Sequence, residues 1–293
     1  MLEPFAEDVW IAARPLRFFG VEVGTRMTVV RLRDGGLFVH SPVALDLPTR
    51  HAIDALGPVT AIVAPTLFHH LYVAEWALAY PSASLSACPG LEKKRKDVAW
   101  SRVLGDGPED EWNGALEQTF FGALPMQNEV VFFHRKTRTL ISSDLIFNLA
   151  SHSSGVTRAV AFLIGHRKPG PTLLERVMVK DRLAARDQIG RMVAWDAVRI
   201  VLAHGDVIAS NGSAILREGY DRTSAVASSR RTNSGSPSAC STMCLATTRR
   251  SSTTTSQLGV SIQPSRATNM PCSSIKARFS TKRFAGSVSA LGK

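Results

Sequence analysis

The chain has 293 residues, and its 35 Lys and Arg against 24 Asp and Glu give a formal net charge of +11. The excess is uneven: residues 221–293 hold eight Arg, three Lys and one acid, so they carry +10, while residues 1–220 carry +1. A case for nucleic-acid binding from overall charge is therefore excluded for the first 220 residues. All five Trp and all eight His lie before residue 221, and three of the four Cys lie after it. A chain of about 220 residues buries about 70% of its unfolded surface, enough for one domain with a real core. The acidic start and the absence of any apolar run near the ~18 residues of a bilayer span predict a soluble cytoplasmic protein with no membrane partner. Cys88 stands alone in the body, which excludes a disulfide framework there, and Cys240, Cys244 and Cys272 read as incidental rather than as a zinc site.

In chain order, Val9–Ala12, Met27–Leu32 and Leu37–His40 read as strands, the last two joined at Asp34-Gly-Gly as a hairpin. A helix is expected near Pro48–Leu56, a buried strand at Val59–Val63, a helix at Leu71–Tyr80 and a strand at Ser84–Ala87. Strands and helices taking turns imply parallel pairing with helices on the faces. Gly90–Gly114 and Val156–Pro171 read as loops, and strands at Val130–His134 and Thr139–Ser142 lie around the polar turn Arg135–Arg138. Helical patterns then cover Pro171–Arg186 and Asp187–Trp195, an apolar strand covers Val198–Leu202, and a last helix opens at Asn211 with Ser213 as its N-cap.

From Asp221 the periodicity stops. Of these 73 residues 17 are Ser and 10 are Thr, while Leu, Ile, Val and Phe together number 10, too few to offset the ordering entropy of a packed fold. The segment reads as a disordered basic tail, either natural or the out-of-frame product of a GC-rich gene, without specific nucleic-acid recognition. The domains expected are thus 1–220 and a tail over 221–293.

Three polar clusters each follow a buried strand: Pro65-Thr-Leu-Phe-His69-His70 after Val59–Ala64, Asp144 after Thr139–Ser143, and His204-Gly-Asp206 after Val198–Ala203. Ligands of open α/β sheets bind at the carboxyl ends of strands, so these clusters are expected on one rim. His and Asp are also ligand types for zinc and iron. Taken singly, each histidine reads first as a hydrogen-bonded packing group. His40, His134 and His166 read as packing residues.

These strings, together with Val131-Phe-Phe-His-Arg and Arg138-Thr-Leu-Ile-Ser-Ser-Asp-Leu, resemble the metallo-β-lactamase superfamily, in an uncharacterised branch named domain of unknown function 4336. The resemblance covers about Glu3–Tyr220. It implies an α/β fold, an αββα sandwich of two mixed β-sheets flanked by helices. Laid on the superfamily's first motif, His-x-His-x-Asp-His, Pro65 and Leu67 stand where two histidines belong. His69 stands where the aspartate belongs, and His70 matches the last histidine. No histidine falls in Gly122–Glu129, where another ligand would sit, although Glu129 offers a carboxylate there. Asp144 matches the bridging aspartate and His204 the final histidine.

The resemblance therefore implies a degenerate site holding one zinc or iron ion at His69, His70, Asp144 and His204. Asp144 and His204 would be the catalytic pair of a hydrolase acting on a small-molecule ester, thioester or amide. The alternative is a catalytically inactive module that binds a small ligand with the fold intact and the metal lost. Substrate and oligomeric state are not written in the sequence.

Overall fold

The computed structural model describes residues 1–228 other than Phe19 and Ser151, the last seven as backbone alone. Of the tail expected over 221–293, residues 229–293, with Cys240, Cys244 and Cys272, lie outside the described residues.

The N-terminal part of the chain builds one sheet. It runs through β1 (Glu3–Ala6), β2 (Val9–Arg14), a small ribbon of β3 (Arg17–Phe18) and β4 (Val21–Glu22), then β5 (Thr25–Arg31) and β6 (Leu37–His40). Next come α1 (Leu47–Leu56), β7 (Val59–Ala64), α2 (Val73–Ala79), β8 (Ser84–Ala87), α3 (Leu91–Lys94) and β9 (Arg102–Val103). Seven strands pair in the order β1-β2-β5-β6-β7-β8-β9, antiparallel as far as β6 and parallel beyond it. The change follows from the connections, since tight turns reverse the chain whereas the crossovers through α1 and α2 return it in the same direction.

A second sheet is formed by β10 (Leu116–Phe121), β11 (Glu129–His134) and β12 (Thr139–Ile141). The chain then leaves through α4 (Gly155–Leu163), α5 (Leu173–Met178) and α6 (Arg182–Ala194), returns as β13 (Arg199–Val201) parallel to β12, and ends in α7 (Gly212–Ser228). Every residue of β11 is buried, because both faces are covered. Val130 and Phe132 belong to the core between the sheets. Val131 and Phe133 pack instead with Ile189 and Met192 of α6 and Leu216 of α7. A strand covered on both sides carries a continuous apolar run, and Val-Val-Phe-Phe is that run. On the far side, Ile53 of α1 and Trp76 of α2 join the first core, and the Trp76 indole donates to Val43 O at 2.7 Å. Helix, sheet, sheet and helix are the four layers of the expected sandwich.

Three readings are corrected and one strand is added. Leu116–Phe121, which lies beyond the expected loop Gly90–Gly114, is a strand. Its Gln118 and Thr119 are buried but satisfied: Gln118 accepts from the Trp112 indole and donates to Gly105 O, and Thr119 donates to Asp106. Val156–Pro171, expected as loop, contains α4, whose first turn is capped by Ser154 Oγ accepting from Thr157 N. The helical stretch 171–195 breaks at 179–181 rather than at 186, because Asp181 caps α6 by accepting from Leu183 N and Ala184 N. The last helix begins at Gly212 and runs past the end of its apolar pattern to Ser228. Ser213 is not its cap but accepts from Ala197 N.

Cys88 is buried and unpaired. Burial first, then the Glu129 and Glu92 carboxylates, push its thiol up to about 12. Because the thiolate is the reactive form, Cys88 is expected to resist iodoacetamide at about pH 8 in the folded chain and to react once unfolded. Peptide mass spectrometry reads both states, and equal labelling would show that this core opens.

Candidate metal centre

The site is assembled at the carboxyl ends of β7, β12 and β13. After β7 the chain turns at Pro65-Thr66, and the Thr66 hydroxyl accepts the backbone N–H groups of Phe68 and His69, both at 3.1 Å. That hydroxyl has one proton, and it donates it to Asp144 Oδ2 at 2.9 Å. One side chain thus curls the histidine loop and fixes one oxygen of the carboxylate, leaving Asp144 Oδ1 to face the imidazoles.

Asp144 is held from behind by Glu129 at the head of β11. This fully buried carboxylate accepts Ser143 N at 2.5 Å and Asp144 N at 3.0 Å. Burial, and then the Asp144 carboxylate, push the Glu129 carboxyl well above its usual range. Asp144 goes the other way. Burial alone would raise it, but His69 and His204 hold it well below the ordinary carboxylate range.

His204 follows β13 on a loop whose next residue, Gly205, has φ +94° and lies against Asn148, so that an added Cβ would overlap the Asn148 carbonyl. Glycine is required there on both counts. The Arg26 guanidinium ties the same loop down by donating to Leu202 O and Gly205 O. Phe147 stacks parallel to the His204 ring at 5.3 Å.

Three donor atoms converge. His69 Nε2 lies 3.2 Å from His204 Nε2 and 3.3 Å from Asp144 Oδ1, and His204 Nε2 lies 3.2 Å from Asp144 Oδ1. The three residues are 9%, 7% and 4% exposed in the order His69, His204, Asp144. Among the described residues no other three His, Cys, Asp or Glu gather this closely. The far ring nitrogens are engaged: His204 Nδ1 lies 2.8 Å from Gly24 O, and His69 Nδ1 lies 2.7 Å from Ser41 Oγ. A carbonyl only accepts, so His204 carries its proton on Nδ1 and, when neutral, presents a bare Nε2 lone pair to Asp144 Oδ1. His69 Nε2 stands at nearly the same distance from both, so the space between the three atoms takes either a proton on His69 or a cation.

The donor set fits a metal ion. Zinc bonds of about 2.0–2.2 Å at tetrahedral angles place neighbouring ligand atoms about 3.3–3.6 Å apart, at or slightly beyond the three edges of 3.2, 3.2 and 3.3 Å. The hydrogen bonds of His204 to Gly24 O, of Thr66 to Asp144 and of Ser41 with His69 are the outer contacts that orient ligands at such sites.

Of the residues singled out in the sequence, His69, Asp144 and His204 come together and His70 does not. Its Nδ1 accepts from Arg95 at 2.9 Å, and the same guanidinium nitrogen donates to His70 O at 3.0 Å. Burial, then Lys94 and Arg95, lower the His70 pKa. The loop wound on Thr66 turns His69 inward and His70 toward α3. His40 is buried edge-on to Phe132, His134 Nδ1 meets Thr137 Oγ1 at 2.8 Å, and His166 is buried beside Leu149. Sequence reasoning passed over Ser41, Thr66 and the Gly24 carbonyl. Strand-end position was a usable signal for Ser41 and Thr66, whereas a backbone carbonyl has no residue signature.

Comparison with solved structures matches this architecture to metallo-β-lactamases. The chain is similar to DIM-1 metallo-β-lactamase at 17% identity and a TM-score of 0.56, covering 77% of this chain and 97% of that one. It is similar to the enzyme from Hirschia baltica at 13% and 0.53, covering 76% and 97%. FIM-1 from Pseudomonas aeruginosa, in its mono-zinc form, matches at 14% and 0.51, covering 78% and 95%. The chain has the metallo-β-lactamase fold. Within it, residues 6–93 match the family described as domain of unknown function (DUF4336). No curated protein matches the chain.

Proposed function

We propose that His69, Asp144 and His204 hold one zinc or iron ion and that the protein is a metal-dependent hydrolase of a small-molecule ester, thioester or amide. The observation that carries this reading is the triangle of 3.2, 3.2 and 3.3 Å edges between three donor atoms. An ion in such a site supplies Lewis acidity and a hydroxide nucleophile near neutral pH. The chain's own groups do the rest. The Gly24 carbonyl keeps the His204 proton on Nδ1 and its Nε2 lone pair inward. Thr66 occupies Asp144 Oδ2, so the carboxylate offers the centre one oxygen. The stacked Phe147 covers one face of the His204 ring and keeps water off it. Motif positions that bring further histidines to such folds carry Pro65 and Leu67 here, which favours one ion over two.

The test is metal analysis of the purified chain after reconstitution with zinc, iron and manganese, followed by assay on simple esters, thioesters and amides. One ion per chain and turnover abolished by Asp144→Ala are expected. Two tightly held ions would overturn the one-metal reading. None at all would leave the three groups as a cluster bridged by a proton, the inactive alternative.

Thr66→Val is a narrower check, because it keeps the shape of the side chain and removes the hydroxyl. Asp144 Oδ2 loses its donor, and Phe68 N and His69 N lose their acceptor. Metal affinity should fall about 10–100-fold, read by competition against a chromophoric chelator, with the circular dichroism spectrum unchanged. Unchanged affinity would show that the loop holds without it.

A further inference from the structure

Helices α4 and α5 and the turn into α6 are built the wrong way round for a free surface. Helix α5 buries Glu175, 7% exposed, and turns Leu173, Leu174 and Val177 outward, Val177 being 70% exposed. On α4 the buried residues are Thr157 and Ala161, while Phe162 and Leu163 project into solvent, Leu163 at 81%. Among the described residues, nine of the sixteen large apolar side chains left exposed fall within residues 155–186. Apolar exposure concentrated in this way marks a surface that meets something.

The charge on the same stretch says what. Residues 155–186 hold seven Lys and Arg against two acids. Glu175 is buried against Thr172 and Gln127, Asp181 caps α6 by accepting from two backbone N–H groups, and Glu218 of α7 lies 3.1 Å from Lys168, so the cations remain in excess. Lys180, Arg182 and Arg186 have no acidic partner among the described residues, and Arg167 lies over the exposed Phe162 ring at 4.3 Å. A second copy of the chain is a poor occupant, because a two-fold interface sets a patch against itself and would oppose these cations to their own kind. A protein interface carries about one hydrogen bond per 100–200 Å², part of it supplied by neutral polar side chains. The only such residues in the stretch are Thr157, His166 and Thr172. Thr157 and His166 are buried, and Thr172 is spent on the capping box of α5. What remains is hydrocarbon flanked by Lys and Arg, the composition that enters the boundary between anionic headgroups and acyl chains.

We propose that this α4–α5 face docks on the surface of an anionic lipid bilayer. No helix among the described residues is long and apolar enough to cross a membrane, so the contact is peripheral. It goes beyond the hydrolase reading, does not depend on it, and departs from the expectation of no membrane partner, which rested on the lack of a spanning segment and does not bear on peripheral contact.

The experiment is sedimentation of the full chain with vesicles of phosphatidylcholine, with and without about 30% phosphatidylglycerol. The +10 carried by residues 221–293 will also draw the chain to anionic vesicles at low salt, so the decisive measurement is made at about 0.5 M NaCl, where exposed charges are screened within a few ångströms. There the wild-type chain should stay bound to anionic vesicles through its inserted apolar side chains. The triple variant Leu163→Ser, Leu174→Ser, Val177→Ser has the same charge and changes only exposed positions, and it should bind at least about tenfold less. Equal binding of the two chains, or release of the wild type at that salt, would overturn the proposal. So would a wild-type dimer that the triple variant turns into a monomer, which would place a second copy on this face.

Discussion

Asp144→Ala, His69→Ala and His204→Ala are each expected to weaken zinc binding by on the order of 100-fold or more, while His70→Ala leaves it within about threefold. The contrast rests on geometry, because His69 and His70 are neighbours of the same type on the same loop. The first places Nε2 within 3.3 Å of Asp144 Oδ1, and the second has its Nδ1 on Arg95. Removing a ligand takes away one of three donors, whereas removing His70 costs a contact with a guanidinium that keeps Asp97 as partner. His204→Ala also removes the ring on which Phe147 stacks, so its fold must be checked by circular dichroism before its affinity is read. Chelator competition on the four variants decides the matter. A loss at His70 equal to that at His69 would show that the loop turns the other histidine inward when metal binds.

Phe132→Ala is expected to destabilise the fold by about 3–5 kcal/mol, the largest effect of any single truncation considered. Phe132 is fully buried on the inner face of β11, with Phe38 edge-on at 5.0 Å, His40 at 5.6 Å and Trp112 at 6.3 Å. Phe38 and His40 belong to the first sheet and Phe132 to the second, so this ring joins the two. Both sheets are held by their own ladders and cannot close on the space that would be left, which makes the cavity cost large. Urea unfolding should show a lower midpoint at unchanged slope. A loss below about 1 kcal/mol would mean that Trp112 and Phe38 repack into the space.

Much of the fold was legible in residue order because it depends on local chemistry and on burial of whole segments. Val-Val-Phe-Phe could only be a covered strand, Asp34-Gly-Gly a turn, and the alternation from Leu47 to Ala87 a parallel arrangement. Where burial was polar or incomplete, the pattern failed. Leu116–Phe121 carries no strand signal because Gln118 and Thr119 interrupt it, and they are tolerated inside only because Trp112, Gly105 and Asp106, all outside the strand, satisfy them. Helix α4 keeps its helical period, but Val156, Phe162 and Leu163 stand on the exposed side and Thr157 and Ala161 on the buried one, the reverse of a core-facing helix.

The site divides in the same way. The sequence determined that His69 or His70, with Asp144 and His204, would stand at strand ends, since each follows an apolar run that must be a strand. Only the tertiary structure decided which histidine faces inward and on which nitrogen the His204 ring keeps its proton. Those choices are made by the Thr66 hydroxyl, by Ser41 at the end of β6, and by the Gly24 carbonyl, 180 residues from His204 in the chain. A side chain's direction follows the hydrogen bonds that hold its backbone and its far atoms, and contacts between residues so distant in sequence exist only once the sheets have packed.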